Sequence, residues 1–186
     1  YLTKMPHGLV DKKIPGIGAT TLVINSKRNS IIVCPTKALA YSKHSKHPNT
    51  LYVGREIKGE KAKVTNQQIE EYLAKDGYKK HLVVADSLGR LLGIIGKNYK
   101  DYFLMIDEID VLQTDNNFRP QLENVIDYYL MFPLKNRCMV TATMKEFINP
   151  LLKKECKFSI TWIYNARRDV KLLHTNNTTQ TVIEEI

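Results

Sequence analysis

The stretch Phe103-Leu104-Met105-Ile106-Asp107-Glu108-Ile109-Asp110 decides the predicted fold of this chain. Four apolar residues of strand character lead directly into a group of acidic residues. A short apolar run that ends at charged residues is typical of a buried strand. In an open parallel sheet, ligands bind beyond the carboxyl ends of the strands, so Asp107 and Glu108 are predicted to lie at a binding edge. The pattern favours a site for a metal ion and a water molecule.

Strand-like and helix-like segments alternate along the chain with short connections. This alternation predicts an α/β fold, a mainly parallel β-sheet with helices on both faces. Further strands are predicted at 30–34, 50–53, 81–86, 137–140 and, as an edge strand, 158–164. Helices are predicted over 119–132 and after the capping boxes that begin at Thr65 and Thr143. Residues 1–13 carry only weak signals for regular structure.

The segment Ile14-Pro15-Gly16-Ile17-Gly18-Ala19-Thr20-Thr21 combines glycines with two threonines ahead of an apolar run. Glycines let a backbone approach a phosphate closely, and a helix that begins at the threonines would direct free N–H groups toward it. The pattern G-x-x-x-x-G-K-[ST] is incomplete, because Lys13 stands at the first glycine and Ala19 at the lysine. An ordinary glycine turn before a helix is the alternative. The candidate nucleotide-binding residues are Gly16, Gly18, Ala19, Thr20 and Thr21.

Two more loops are predicted to open at the same sheet edge. Thr36 and Lys37 follow the strand at 30–34, and Thr36 is a suitable helix N-cap. The backbone N–H groups there, together with Lys37, could meet a phosphate. Thr141 and Thr143 follow the strand at 137–140. A solvated lysine and an ordinary helix cap are the alternative interpretations.

The composition limits the classes of function. The chain has 186 residues, 43% of them hydrophobic, which is enough for one core of ordinary size. A formal net charge of +9 favours a polyanionic partner such as nucleic acid, although a lysine-rich solvated surface gives the same total. The three cysteines include no C-x-x-C pair, which favours a reducing, cytoplasmic location over a disulfide framework or a zinc ribbon.

Metal binding by histidine and insertion into a membrane are not expected. His44 and His47 lack a second ligand pair at metal-site spacing, so they are interpreted as solvated loop residues. No segment is apolar over the length that a bilayer requires, and no charged-then-apolar leader is recognised.

Four segments, taken in order, resemble the first RecA-like domain of superfamily 2 helicases, above all the DEAD-box branch. The first two, Pro35-Thr36-Lys37-Ala38-Leu39-Ala40 and Val84-Ala85-Asp86-Ser87-Leu88-Gly89-Arg90-Leu91-Leu92, are similar to P-T-R-E-L-A and V-A-T-P-G-R-L. The last two, Asp107-Glu108-Ile109-Asp110 and Val140-Thr141-Ala142-Thr143-Met144, match D-E-A-D or D-E-x-H and S-A-T-M. The resemblance covers roughly residues 14–152 and implies a RecA-like P-loop domain.

The resemblance implies that the domain uses ATP and Mg²⁺. Asp107, with Thr20, would hold Mg²⁺ on the nucleotide phosphates, and Glu108 would orient and deprotonate the attacking water. Asp110 and the threonines Thr141 and Thr143 would couple the nucleotide site to movement between domains.

The resemblance also implies a nucleic-acid partner. Four residues would hold the sugar-phosphate backbone of single-stranded DNA or RNA: Thr36, Lys37, Gly89 and Arg90. Such contacts position a strand and carry little sequence information.

One departure from the family lies in the phosphate loop and bears on activity. Ala19 replaces the lysine that grips the β and γ phosphates, and losing one charge pair about 4 Å apart near a surface removes on the order of 4 kcal/mol. Lys12 or Lys13 could fold back and substitute, and restoring Ala19→Lys is expected to strengthen ATP binding. A family-type glutamine motif for adenine is absent as well.

The predicted domains are residues 1–164, a RecA-like ATP-binding domain, and residues 165–186, a linker with the possible start of a second RecA-like domain. An ATP-dependent helicase or translocase fragment is the leading hypothesis. The alternatives are a catalytically inactive helicase-like module that binds nucleic acid or a protein partner, and a P-loop-type regulatory protein without a nucleic-acid role.

Overall fold

A computed structural model describes residues 2–59, 63–114, 119–144 and 149–161, without the side chains of 113–114 and 119–122. Seven strands lie in these ranges: Gly8–Asp11 (β1), Ser30–Cys34 (β2), Leu51–Val53 (β3), Lys80–Val84 (β4), Phe103–Asp107 (β5), Arg137–Thr141 (β6) and Lys157–Ser159 (β7). They form one sheet in the order β3-β4-β2-β5-β6-β1-β7, and every neighbouring pair is parallel. This sheet confirms the predicted α/β class.

Six α-helices of the described ranges cover the sheet: Ala19–Asn25 (α1), Lys37–Lys46 (α2), Asn66–Ala74 (α3), Leu88–Ile95 (α4), Ile109–Thr114 (α5) and Arg119–Met131 (α6). Buried residues of α1 and α2 join one core cluster, and buried residues of the other four helices join a second. The β2 strand shows why two clusters form, because Ile31 and Val33 belong to one while Ile32 and Cys34 belong to the other. Successive side chains of a strand point to opposite faces, so the sheet is covered on both sides.

Local signals explain where α2 and α3 begin. The Thr36 hydroxyl accepts a hydrogen bond from the Leu39 N–H at 3.2 Å, which caps α2. The predicted capping box at Thr65 is confirmed, since the Thr65 hydroxyl accepts from the Gln68 N–H and the Gln68 side chain accepts from the Thr65 N–H. The α3 helix ends at Ala74, ahead of the predicted stop at Gly77.

The N-terminal segment contains a strand that its sequence does not predict. Its weak signals conceal β1, which lies between β6 and β7 and pairs in parallel with both. Gly8 has a φ of +93° and is packed so closely that an added Cβ would lie 2.3 Å from the Cys156 carbonyl oxygen. A glycine that marks a close approach of two backbones lowers the strand signal of a four-residue segment.

Other predicted boundaries shift by a few residues. The strand expected at 81–86 begins at Lys80 and ends at Val84, because residues 85–87 form a turn of 3₁₀-helix. The expected edge strand lies at the edge of the sheet, but it begins at Lys157 and ends at Ser159. The part of that prediction beyond residue 161, and residues 145–148 of the helix predicted after Thr143, fall outside the described residues.

None of the helices in the described ranges is both long and apolar enough to cross a membrane.

The buried His81 makes stability sensitive to acid. Its ring is fully buried on β4 and contacts the rings of Tyr72 and Tyr102. Burial lowers the pKa of His81 from 6.5 to about 3. The native state therefore resists protonation that the unfolded chain accepts, so stability is lost as the pH falls from 6.5 toward 3.

At pH 4.5 this loss is expected to be about 3 kcal/mol, since pH 4.5 lies two units below the ordinary pKa and one pKa unit corresponds to ~1.4 kcal/mol. His81→Phe is expected to flatten this part of the pH dependence when both proteins are unfolded with urea between pH 7 and pH 4.5. Equal pH dependence in the two proteins would contradict the assignment.

Candidate nucleotide-binding site

Three loops meet at the carboxyl edge of the sheet because β5, β6 and β1 are neighbours. The glycine-rich loop follows β1, the acidic residues end β5, and the threonine segment ends β6. The strand register aligns Asp107 with Val140 and Asp11 with Thr141. Residues far apart in sequence are thereby brought to one place, as expected for a ligand site of a parallel sheet.

The glycine-rich loop adopts a conformation that favours glycine. Gly16 has a φ of +77° and Gly18, which directly precedes α1, has a φ of +82°. An added Cβ at either position would contact nothing within 4 Å, so the glycines are needed for their backbone conformation and not for lack of space. The loop therefore presents exposed backbone in front of α1, with Thr21 also exposed.

A lysine from a neighbouring strand anchors the far end of α1. The Lys80 ammonium donates hydrogen bonds to the carbonyl oxygens of Val23, Ser26 and Arg28 at 2.9, 2.7 and 2.6 Å. The last carbonyls of a helix have no partners within the helix, and a cation there satisfies them. This contact fixes α1, and with it Ala19 and Thr20, against the sheet.

Thr20 and Asp107 form the centre of the site. The Thr20 hydroxyl donates to Oδ2 of Asp107 at 2.9 Å, across 87 residues of sequence. Asp107 is 2% exposed, and its Oδ1 atom has no hydrogen-bond partner in the described part of the chain. A buried carboxylate oxygen without a partner is costly unless a ligand satisfies it.

This arrangement fits Mg²⁺. In proteins Mg²⁺ is commonly held by one or two carboxylates together with substrate phosphates and water, and a P-loop hydroxyl is a frequent additional ligand. Thr20 and Asp107 supply that pair. Among the described residues no group of three or more His, Cys, Asp and Glu side chains could hold a metal.

Two lysines occupy the space around the acidic residues. The Lys12 ammonium lies 2.5 Å from Oε1 of Glu108 and 3.8 Å from Oδ1 of Asp107. The Lys43 ammonium pairs with Oδ2 of Asp107 and lies 2.6 Å from the Thr20 hydroxyl.

Lys13, the other lysine considered from the sequence, pairs instead with Asp11 at 2.6 Å. The sequence analysis did not place Lys43 at this site. The local signal for it is its position on α2, three residues after Ala40 and on the same inner side of the helix.

Glu108 stands in an uncommon backbone conformation. Its φ is +50°, in the left-handed region that non-glycine residues rarely adopt. Such a conformation costs on the order of 1–3 kcal/mol and occurs most often at functional sites. Its side chain is 25% exposed, so the carboxylate is accessible from the open edge.

Asp110 connects the acidic segment to the threonine segment. Its carboxylate accepts hydrogen bonds from the hydroxyls of Thr141, at 2.6 Å, and Thr143. Partial burial raises the pKa of Asp110. The two hydroxyl bonds and the backbone N–H groups of Asp110 and Val111 lower the pKa by more than burial raises it, so the pKa lies below its ordinary value. The structure thus brings together the three residues predicted to couple the site to domain movement.

The four residues predicted to hold a nucleic-acid strand follow β2 and β4, which are adjacent strands. Thr36 and Lys37 are exposed, and the Lys37 ammonium lies 3.4 Å from the Glu56 carbonyl oxygen. Arg90 donates to the Val64 carbonyl oxygen at 3.0 Å, which ties down the loop before α3. At Gly89 an added Cβ would lie 2.4 Å from the Tyr128 hydroxyl, so α4 packs closely against the Tyr128 side chain of α6 at this position.

The sheet order, the glycine-rich loop after β1 and the acidic end of β5 define a RecA-like P-loop domain. A protein-family model for the DEAD/DEAH box helicase matches residues 15–151. The chain belongs to this family.

A solved structure shows the same fold. It is the crystal structure of a DEAD box protein from the hyperthermophile Methanococcus jannaschii, with a TM-score of 0.54 and 18% sequence identity. The match covers 83% of this chain and 46% of that one, so this chain spans about half the length of that protein. A search of curated proteins found no significant match.

Proposed function

We propose that this chain is the ATP-binding domain of a helicase or translocase in which ATP hydrolysis is coupled to movement along nucleic acid in the full-length protein. The observation that carries the proposal is the contact between Thr20 and Asp107, with Glu108 and Asp110 beside it. Family membership supports use of ATP and Mg²⁺ in general, and the geometry supports where each would bind.

The phosphates would lie in front of the glycine-rich loop. Gly16, Gly18 and Thr21 are exposed there and can present backbone N–H groups, while Thr20 and Asp107 would hold Mg²⁺. When bound, Mg²⁺ supplies positive charge that neutralises the charge developing on the transferred phosphoryl group. Ala19 contributes backbone only, since it carries no cation.

Glu108 would act on the attacking water. Its carboxylate lies one residue beyond Asp107, is partly exposed, and is held by the Lys12 ammonium at 2.5 Å. A paired carboxylate is fixed in position, and positioning together with electrostatic stabilisation accounts for almost all of catalysis in phosphoryl transfer. Asp110, with Thr141 and Thr143, would transmit the state of the site to the rest of the protein.

The nucleic-acid strand would lie across the carboxyl ends of β2 and β4. Lys37 and the N–H groups at the start of α2 are exposed and suit phosphate, while Gly89 and Arg90 define the neighbouring surface. The net charge of +9 favours such a partner. A second RecA-like domain, starting within 165–186 after a linker, would complete both sites.

Lys37→Ala is expected to weaken the binding of single-stranded oligonucleotides of any sequence by a similar factor. Because a phosphate contact releases counterions, the variant should reduce the slope of log affinity against log salt by about 0.7. Fluorescence anisotropy at several salt concentrations measures this slope. Lys100→Ala is the matched control, since Lys100 is exposed just before β5 at the opposite edge of the sheet. Equal slopes for the wild type and Lys37→Ala would remove Lys37 from the interface.

The proposal as a whole is tested by ATP hydrolysis of the full-length protein with and without single-stranded DNA or RNA. Stimulation by the strand supports a helicase or translocase. Ala19 specifically favours a second candidate, a catalytically inactive module that binds nucleic acid or a protein partner. Strand binding that is tight, salt-dependent and unchanged by ATP would support that second candidate.

A further inference from the structure

Helix α2 places a lysine inside the nucleotide site. Lys43 follows the fully buried Ala40 by three residues, so both lie on the inner face of the helix. Its ammonium pairs with the Asp107 carboxylate and lies 2.6 Å from the Thr20 hydroxyl. Thr20 directly follows Ala19. A cation from α2 therefore stands beside the position at which the phosphate loop has none.

We propose that Lys43 is the phosphate-binding cation of this domain and takes the role that Ala19 cannot fill. This inference rests on the proposed function. When a nucleotide binds, the Lys43 ammonium exchanges the Asp107 carboxylate for a phosphate oxygen, and Asp107 becomes available to the metal. The four-carbon stem of lysine allows such a movement without a change in the helix.

The exposure of the three candidate lysines separates their roles. The Lys12 side chain is 5% exposed and its ammonium is held by Glu108, so it is positioned to fix that carboxylate. The Lys13 side chain is 56% exposed and pairs with Asp11. The Lys43 side chain is 21% exposed, which leaves it in contact with the acidic residues and within reach of a ligand at the open edge.

The charges of the cluster are balanced before a nucleotide arrives. Asp107 and Glu108 face Lys43 and Lys12, respectively, at ion-pair distance. A triphosphate brings negative charge of its own, so Lys43 can change partners while remaining paired. Leaving a partly buried ammonium without a partner is unfavourable, and the exchange avoids that state.

The test is calorimetric titration of the chain with Mg–ATP and with AMP, comparing the wild type with Lys43→Met. Methionine keeps a stem of similar length and removes the charge. Because hydrogen bonds to charged groups typically contribute 1.5–3 kcal/mol, the variant is expected to bind Mg–ATP about 10- to 150-fold more weakly. Binding of AMP, which lacks the β and γ phosphates, should change much less.

The control is Lys46→Met, which removes an exposed lysine from the same helix and should leave both affinities unchanged. Thermal unfolding checks that the variants fold, and Lys43→Gln serves as the second variant if Lys43→Met does not. Adding Ala19→Lys to the Lys43 variant should restore most of the lost affinity, because a cation would again face the phosphates.

Two results would overturn the inference while leaving the proposed function intact. If the Lys43 variants bind Mg–ATP as well as the wild type, Lys43 makes no contact with the phosphates. If they bind it more tightly, Lys43 blocks Asp107 and does not assist the nucleotide. Failure of the folded wild type to bind Mg–ATP would instead overturn the proposed function, and the inference with it.

Discussion

Replacing Asp107 by asparagine is expected to remove the effect of Mg²⁺ on ATP binding. Asparagine keeps the shape of the side chain but removes the charge that would face the metal. The Thr20 hydroxyl, 2.9 Å from Oδ2 in the wild type, remains in place. Because two unit charges about 4 Å apart near a surface interact by on the order of 4 kcal/mol, the loss of affinity for Mg–ATP should reach about 1,000-fold.

The presence and absence of Mg²⁺ separate this effect from a general loss of binding. ATP without Mg²⁺ should bind the Asp107→Asn variant at least as well as the wild type, because a negative charge has been removed and Lys43 has been released from its ion pair. Asp101→Asn is a suitable control, since Asp101 is exposed near the opposite end of β5. A variant that still binds ATP more tightly in Mg²⁺ would show that the metal lies elsewhere.

Breaking the buried ion pair between Arg137 and Glu155 is expected to have the largest effect on stability. The side chains are 9% and 1% exposed, and Arg137 also donates to the carbonyl oxygens of Leu130 and Phe132 at 2.8 and 2.9 Å. The pair joins the start of β6 to the end of α6 and to the segment before β7. Glu155→Leu leaves the guanidinium buried without its counter-charge, which typically costs about 3–5 kcal/mol.

Urea unfolding of a double-mutant cycle measures this effect. Arg137→Met combined with Glu155→Leu should be less destabilised than Glu155→Leu alone, because no buried charge is left uncompensated. Glu70→Leu, an exposed change on α3, should stay within about 0.5 kcal/mol of the wild type. If the effects of the two single changes simply add, the residues do not interact.

The fold was predictable where hydrophobic pattern and turn signals agree. The strand Ser30–Cys34 is mostly apolar, is buried along its whole length and is followed by a proline, and its predicted bounds coincide with those of β2. The capping box at Thr65 gave the start of α3 for a similar reason. The β1 strand was missed because it has four residues and begins at a glycine whose role is close backbone packing. Its central place depends on partners more than 100 residues away, which local pattern does not reveal.

The site was predictable in part for the same reason. The order of motifs predicted Asp107, Glu108 and Asp110 as site residues because each belongs to a continuous segment with a characteristic spacing, and the structure places them at one edge of the sheet. Lys43 belongs to no motif, and it reaches Asp107 only because β2 and β5 are neighbours in the sheet. The sequence raised Lys12 as a replacement for the lysine missing at Ala19, whereas the structure places its ammonium at Glu108. A contact across 64 residues requires the three-dimensional arrangement.

We propose that this domain retains a Mg–ATP site although Ala19 stands in its phosphate loop. The most direct test is calorimetric titration of the wild-type chain with ATP, in Mg²⁺ and again in EDTA. We predict saturable binding that becomes markedly weaker when Mg²⁺ is removed. No binding up to about 1 mM ATP, or equal affinity with and without Mg²⁺, would contradict the account.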